Sequence, residues 1–76
     1  AMRTLRIDAG RTDKLRPGDI LGALTGAAGL SAQDIGKIDV FPTRSYVAIR
    51  AGQLKSALAG LQAGRIKGRN VRVRAM

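Results

Sequence analysis

Apolar and polar side chains alternate along the stretch 37–50, in two separate runs. Ile38 and Val40 alternate with polar or aromatic neighbours, and Val47 and Ile49 do the same a few residues later. A period of two places successive side chains on opposite faces of a strand. The stretch Phe-Pro-Thr-Arg separates the two runs, so we predict a hairpin of two strands with one buried face and one open face.

Two further strands are predicted near the two ends of the chain. Residues 3–8 carry aliphatic side chains at positions 5 and 7, and residues 69–74 carry valines at positions 71 and 73, each between polar neighbours. Alanine and glycine follow the first of these strands. The segment 10–16 that comes next is rich in cations, and we expect it to be a flexible loop.

A first helix is predicted to begin at Pro17, because the N–H that proline lacks is not needed in the first turn of a helix. Gly29 is placed to end it. Gly22 and Gly26 each weaken the helix interior by about 1 kcal/mol relative to alanine, and we interpret them as sites of close approach to the sheet. The predicted apolar stripe consists of Ile20, Leu21, Leu24 and Ala28.

A second helix is predicted from Gly52 to Gly64. Between the first helix and the hairpin, the sequence Ser-Ala-Gln-Asp at 31–34 resembles a capping box and predicts a single helical turn. Residues 65–68 are predicted to form a turn. The apolar positions of the second helix follow the spacing i, i+3, i+4, i+7 and are Leu54, Ala57, Leu58 and Leu61.

The predicted order of elements is strand, helix, strand, strand, helix, strand. Two helices on one face of a four-stranded antiparallel sheet form the α+β, ferredoxin-like split-βαβ architecture (βαββαβ), which is RRM-like. A chain of 76 residues has room for one modest core. We therefore predict a single domain over residues 3–75, in which the helices cover one sheet face and leave the other open.

Charge and composition narrow the function. The chain has 14 lysines and arginines against 5 acidic residues, a formal net charge of +9, and it has no cysteine and no histidine. Its positive potential attracts polyanions, above all nucleic acid. Without cysteine and histidine, disulfides, common zinc sites and histidine-based catalysis are excluded. We expect a cytoplasmic monomer that needs no cofactor, holds no metal, catalyses no reaction and makes no membrane contact.

The open sheet face carries most of the candidate binding residues. Tyr46 points outward in the predicted register, which favours base stacking over a packing role. Arginine can pair with phosphate or stack on a base, and lysine can contact phosphate. Asp8 and Asp39 are the outward acids, and we expect them to orient cations or to accept from a base amine. The candidate RNA-binding residues on this face are Arg6, Lys37, Tyr46, Arg50, Asn70, Arg72 and Arg74.

The loop 10–16 offers a second candidate surface. Arg11, Lys14 and Arg16, together with backbone N–H groups at the start of the first helix, could hold a phosphate. We expect this loop to bind the RNA backbone while the sheet recognises bases. Phe41, beside a proline at the end of its strand, is expected to cover the edge of the core.

Several motifs carry a resemblance to known RNA-binding domains. Tyr46 stands at the first aromatic position of the third strand of an RNA-recognition motif, whereas Ala48 and Arg6 stand where further aromatics are usual. More specific motifs are Asp-Ala-Gly-Arg at 8–11, Arg-Pro-Gly-Asp-Ile-Leu-Gly-Ala-Leu-Thr-Gly at 16–26, Asp-Ile-Gly-Lys-Ile at 34–38, Tyr-Val-Ala at 46–48 and Ile-Lys-Gly-Arg at 66–69. With these motifs, essentially the whole chain resembles the C-terminal RNA-binding domain of DbpA-type DEAD-box helicases.

The resemblance implies a module that recognises a hairpin and its neighbourhood in large-subunit, 23S-type ribosomal RNA, and that targets a helicase in ribosome assembly. The ATP-hydrolysing helicase core would lie upstream in the same polypeptide, and no part of it is present in this sequence. Two alternatives remain open: a protein-interaction module on the open sheet face, and a nonspecific RNA tether of another DEAD-box helicase. The first would need an apolar patch, whereas the predicted face presents Tyr46 and Ala48 among cations.

Overall fold

The computed structural model describes residues 1–26, 28–63, 66 and 71–76. Short 3₁₀ turns connect several of the regular elements. The strands and helices are β1 (Met2–Ile7), α1 (Pro17–Thr25), β2 (Ile35–Val40), β3 (Ser45–Arg50), α2 (Leu54–Ala63) and β4 (Val73–Ala75), and the 3₁₀ turns are Arg11–Asp13, Ala32–Asp34 and Ala51–Gln53.

The strands of the described residues form one antiparallel sheet in the order β2–β3–β1–β4. β1 therefore lies between β3 and β4, and β2 and β4 are the edges. α1 and α2 contact each other and share one buried apolar cluster with β1 and β3, which places both helices on the same face of the sheet. The predicted α+β, ferredoxin-like and RRM-like fold is confirmed.

Aliphatic side chains fill the space between the sheet and the helices. The inward positions of β1 and β3 alternate with the open-face positions, as the period of two predicts. Burying each leucine, isoleucine or valine side chain contributes about 1.5–3 kcal/mol. No helix in the described part of the chain is long and apolar enough to cross a membrane. The fully buried aliphatic side chains of the sheet and helices include Leu5, Ile7, Ile20, Leu24, Val47, Ile49, Ala57 and Leu61.

A β-bulge interrupts the pairing of β2 with β3. Two residues of β2, Gly36 and Lys37, lie opposite the single residue Ala48 of β3. The extra residue explains why Ile35 and Ile38 both pack against the core although they are three positions apart. A Cβ added at Gly36 would lie 2.8 Å from Cε of Met2 and 3.2 Å from Cβ of Ala48, so glycine here leaves room for the Met2 side chain.

α1 is shorter than the sequence predicts. It ends at Thr25, and the N–H of Leu30 donates to the carbonyl oxygen of Leu24 at 3.0 Å, which turns the chain back and brings the Leu30 side chain into the core. Gly29 adopts the left-handed conformation expected there, with φ of 71°, but it lies beyond the helix end. Leu21 is 37% exposed instead of buried, because at 3.6 residues per turn it lies to the side of the buried face formed by Ile20 and Leu24.

Among the glycines of the two helices, the one that permits a close approach lies in α2, and the approach is not between α1 and the sheet. A Cβ on Gly60 of α2 would overlap the backbone and Cβ of Ala28, in the segment that follows α1. At Gly22 such a Cβ would meet nothing within 4 Å, and at Gly26 it would meet the carbonyl oxygen of Gly22 at 2.9 Å. The interpretation of Gly22 and Gly26 as contacts with the sheet is therefore wrong, since both positions are exposed.

The segment after α2 is described at residue 66 and from residue 71 onward. Ile66 was predicted to lie in a turn, but its side chain is 1% exposed and belongs to the core. β4 is shorter than the predicted strand, and Val73 faces the core as predicted. The rest of the predicted turn and the start of the predicted strand, including Asn70, lie outside the described residues.

Two alanine substitutions test the packing of the glycine in α2. Gly60→Ala is expected to lower the free energy of unfolding by about 1–3 kcal/mol, because the added methyl group has to displace Ala28. Gly22→Ala, also within a helix but with open space around the new methyl, is expected to raise it by about 0.5–1 kcal/mol through helix propensity. Urea unfolding measures both values. Equal changes in the two variants would contradict the contact between Gly60 and Ala28.

Candidate nucleic-acid interface

One row of side chains crosses the open face from edge to edge. The strand register aligns Asp39 of β2 with Tyr46 of β3, Tyr46 with Arg6 of β1, and Arg6 with Arg74 of β4. We call these four residues the central row. They alternate along their strands with residues that face the core, so they point away from the helices. The predicted outward direction of Tyr46 is confirmed.

A second aromatic ring packs against Tyr46. The rings of Phe41 and Tyr46 meet edge to face, with centroids 5.7 Å apart and planes at 76°. The guanidinium carbon of Arg44 lies 5.9 Å from the centre of the Phe41 ring. Phe41 is 42% exposed, so the prediction that it covers the core edge is wrong. The alternation of β2 continues to position 41, so the Phe41 ring lies on the open face together with Asp39. There its aromatic surface is available for base stacking.

The central row contains a pair of like charges. Arg6 and Arg74 lie opposite each other on adjacent strands, an arrangement that destabilises a sheet. Asp8 relieves part of the repulsion, since its Oδ1 accepts from Nε of Arg6 at 3.0 Å. No ion pair within the described residues involves Arg74 or its exposed neighbour Arg72. A bound phosphate would provide the missing negative charge.

Lys37 and Asp39 form a weak ion pair at the β2 edge of this face. Nζ of Lys37 lies 3.7 Å from Oδ1 of Asp39, and the side chains are 80% and 44% exposed. Exposed pairs of this kind contribute little to stability, about 0–1 kcal/mol. Both groups are therefore accessible to a ligand, the ammonium to phosphate and the carboxylate to a hydrogen-bond donor.

Arg50 lies apart from the other predicted cations of the sheet. Its Nε is 3.5 Å from Oδ1 of Asp34, and its Nη2 donates to the carbonyl oxygen of Gln33 at 3.5 Å. These contacts tie the end of β3 to the turn before β2. An RNA contact of Arg50, as predicted, would therefore compete with its bonds to Asp34 and Gln33. Asn70, the other predicted contact at issue, lies outside the described residues.

The cation-rich loop is tied to the hairpin turn between β2 and β3. The N–H groups of Arg11 and Thr12 donate to the carbonyl oxygens of Phe41 and Pro42 at 2.9 and 3.0 Å. The hydroxyl of Thr12 also donates to Pro42, at 2.7 Å. A Cβ at Gly10 would overlap the carbonyl oxygen of Phe41, so the two backbones are in direct contact. The expectation of a flexible loop is corrected: this segment is a hydrogen-bonded 3₁₀ turn.

A cavity of about 580 Å³ opens beside this loop. The start of α1 contributes fewer donors to it than predicted, because the Arg16 N–H donates to Oδ2 of Asp19 at 2.9 Å and the Asp19 N–H donates back to the Arg16 carbonyl oxygen at 3.0 Å. The side chains are therefore the main candidate contacts for a phosphate here. The lining residues are the cations Arg11, Lys14 and Arg16 and the apolar Leu15, Pro17 and Val40.

The acidic residues of the chain, all five of them aspartates, have local structural partners. Asp13, Asp19 and Asp34 each accept from a backbone N–H three residues earlier, at 3.0, 2.9 and 3.2 Å. Asp8 and Asp39 pair with neighbouring cations on the sheet. The acids therefore organise turns and orient side chains, and the lysines and arginines among the described residues are left in excess at exposed or half-buried positions.

Two residues near the interface, Phe41 and Ser45, are not among the binding residues that the sequence predicts. Phe41 had a usable signal, because the period of two already placed it on the open face. Ser45 had none. It is completely buried, and its hydroxyl donates to the Ala9 carbonyl oxygen at 2.7 Å, which joins the start of β3 to the end of β1.

The split-βαβ fold with a basic, partly aromatic open sheet defines a class of domain to which RNA-recognition motifs belong. The family model of the DbpA RNA binding domain matches residues 4–75 of this chain. The chain belongs to that family, and it is an RNA-binding domain.

Two kinds of curated relative are similar to this chain. It is 55% identical over 73 residues to the ATP-dependent RNA helicase DbpA of Escherichia coli, a match that covers 96% of this chain and 16% of that protein. It is 34% identical over 67 residues to the ATP-dependent RNA helicase DeaD of Mycobacterium tuberculosis, covering 88% of this chain and 12% of that protein. The chain thus spans a small part of the length of the relatives it matches.

Tyr46→Ala is expected to weaken RNA binding by about 1–3 kcal/mol, because the variant loses a base-stacking ring. The free energy of unfolding should fall less than in Val47→Ala, since Val47 has no exposed surface and Tyr46 lies outside the core. Tyr46→Phe keeps the ring and serves as the control. Fluorescence anisotropy with single-stranded RNA and thermal unfolding give the two quantities. Normal binding by a strongly destabilised Tyr46→Ala variant would show that the ring serves packing instead.

Proposed function

We propose that this domain targets an ATP-dependent DEAD-box RNA helicase to a structured hairpin region of large-subunit, 23S-type ribosomal RNA during ribosome assembly. The domain supplies binding and orientation, and ATP hydrolysis belongs to a helicase core in the same polypeptide. Membership of the DbpA RNA-binding family and the helicase names of the two relatives support this proposal. So does the small share of those relatives that the chain covers, which leaves ample length for a core.

The observation that carries the proposal is the central row. It combines an aromatic ring with two arginines whose mutual repulsion a phosphate would relieve. A single-stranded base can stack on Tyr46 while its flanking phosphates contact Arg6 and Arg74. An unpaired loop of a hairpin presents bases in this way.

The loop cavity supplies a second contact at one end of the sheet. Arg11, Lys14 and Arg16 line it, and hydrogen bonds to the hairpin turn hold the loop in place. Cations arranged in this way suit the phosphates of a duplex stem, which fix position without reading sequence. A hairpin has both an unpaired loop and a stem, so it matches the two surfaces better than a uniform single strand or duplex does.

A protection map of total ribosomal RNA tests the target. With the domain bound, we expect chemical protection concentrated in one hairpin region of the large-subunit RNA. Diffuse protection over many sites would instead support the nonspecific tether. Absence of protection at low salt would contradict RNA targeting and favour the protein-interaction alternative.

The salt dependence of binding tests the electrostatic part of the proposal. Four to six phosphate contacts would give a slope of roughly −3 to −5 in a plot of log affinity against log salt concentration. Arg16→Ala should make this slope shallower by about one contact, since Arg16 lines the loop cavity. Lys55→Ala removes an exposed cation from α2, away from the proposed interface, and should leave the slope unchanged. RNA titrations at several salt concentrations measure the slope for the wild type and the two variants. Equal slopes for all three proteins would exclude the loop from the interface.

A further inference from the structure

The open face contains a depression beside Tyr46. The cavity measures about 220 Å³. Its floor is made of small side chains, because Ala48 of β3 and Thr4 of β1 lie opposite each other. Gly36, which lies opposite Ala48 in the bulge of β2, adds no side chain of its own, and the end of the Met2 side chain packs over it. The sheet is therefore not a continuous stacking platform at this point.

The walls of the depression combine three kinds of group. Tyr46 contributes an aromatic ring, and Phe41 packs against that ring edge to face. Asp39 is the strand partner of Tyr46, so its carboxylate lies beside the ring, and it is 44% exposed. Lys37 places an ammonium 3.7 Å from that carboxylate. A stacking surface, an acceptor and a cation thus converge on one small cavity.

We propose that this depression, which we call the base pocket, binds one unpaired nucleotide whose base carries an amino group, and that Asp39 is its specificity-determining residue. The inference rests on the proposed RNA binding and adds the chemistry of the nucleotide. The base lies against Tyr46, in the space that a larger side chain at position 48 would fill. Lys37 contacts the phosphate of the same nucleotide.

The carboxylate determines which bases fit. An ionised aspartate only accepts hydrogen bonds. The exocyclic amines of guanine, adenine and cytosine donate to such an acceptor, as in the pairing of Asp or Glu with the cytosine amine. Uracil has no exocyclic amine, and its one Watson–Crick donor, the N3–H, lies between two carbonyl oxygens whose partial negative charge opposes the approach of a carboxylate. The base pocket therefore discriminates against uracil.

Two oligonucleotides isolate the amino group. The probes are uridine hexamers in which one central nucleotide is guanosine or inosine, because inosine lacks only the amino group of guanosine. The wild-type domain is expected to bind the guanosine probe about tenfold more tightly than the inosine probe. Fluorescence anisotropy at one low salt concentration measures both affinities. Equal affinities, or no binding of either probe, would overturn the base pocket.

Two aspartate variants test the assignment to Asp39. Asp39→Ala and Asp8→Ala each remove one ion-paired carboxylate from the open face and raise the net charge by one unit. Both should therefore bind either probe somewhat more tightly through charge alone. Asp39→Ala should reduce the tenfold ratio to about one, whereas Asp8→Ala should keep it. A ratio that survives in Asp39→Ala, or that falls equally in both variants, would contradict the assignment.

Ala48→Phe separates a pocket from a stacking platform. The new ring would occupy the depression, so binding of the guanosine probe should fall by about tenfold, to the level of the inosine probe. If the open face were instead an ordinary platform, an additional aromatic would strengthen the binding of both probes, and that result would overturn the proposal. Should Ala48→Phe fail to fold in thermal unfolding, the aspartate variants decide. The protection map judges the ribosomal target separately, so either idea can fail alone.

Discussion

The interface depends on a contact between two backbone segments, the end of β1 and the turn between β2 and β3. Gly10 lies so close to Phe41 that no side chain fits between them. Beneath this contact the buried hydroxyl of Ser45 donates to the carbonyl oxygen of Ala9, which satisfies two polar groups that would be costly to bury unpaired. Because the loop is held against the hairpin, its cations lie at the same end of the sheet as the aromatic pair. Without the contact between Gly10 and the hairpin turn, the position of the loop cations would not be fixed relative to the sheet.

The distribution of charge follows from the use of the acidic residues. Three aspartates close turns or cap a helix, and two pair with cations on the open face. Every aspartate side chain therefore has a hydrogen-bond or ion-pair partner within the domain. The exposed cations keep a positive potential, and the opposed arginines of the central row concentrate it on the sheet. A polyanion lowers the energy of this arrangement, whereas water and salt only screen it.

The open face differs from a sheet that stacks several bases on successive aromatics. Tyr46 is the aromatic of the central row, supported by Phe41 from the hairpin end. Thr4 of β1 and Ala48 of β3, which lie opposite each other, lower the surface beside the ring. One ring beside a depression presents shape and hydrogen-bonding groups together, which suits recognition of a particular nucleotide more than general affinity.

The order of elements, the buried faces of the central strands and the outward direction of Tyr46 followed from the sequence, because periods of two and 3.6 residues are local properties of the chain. The family resemblance likewise followed from contiguous motifs. Only the tertiary structure decided the early end of α1, the burial of Ile66, the ordering of the loop and the separation of Arg50 from the other arginines. Each depends on a partner distant in the sequence: the core for Leu30 and Ile66, the hairpin turn for Gly10, and Asp34 for Arg50. Alternation within one strand specifies a face, but strand register and packing specify which residues meet there.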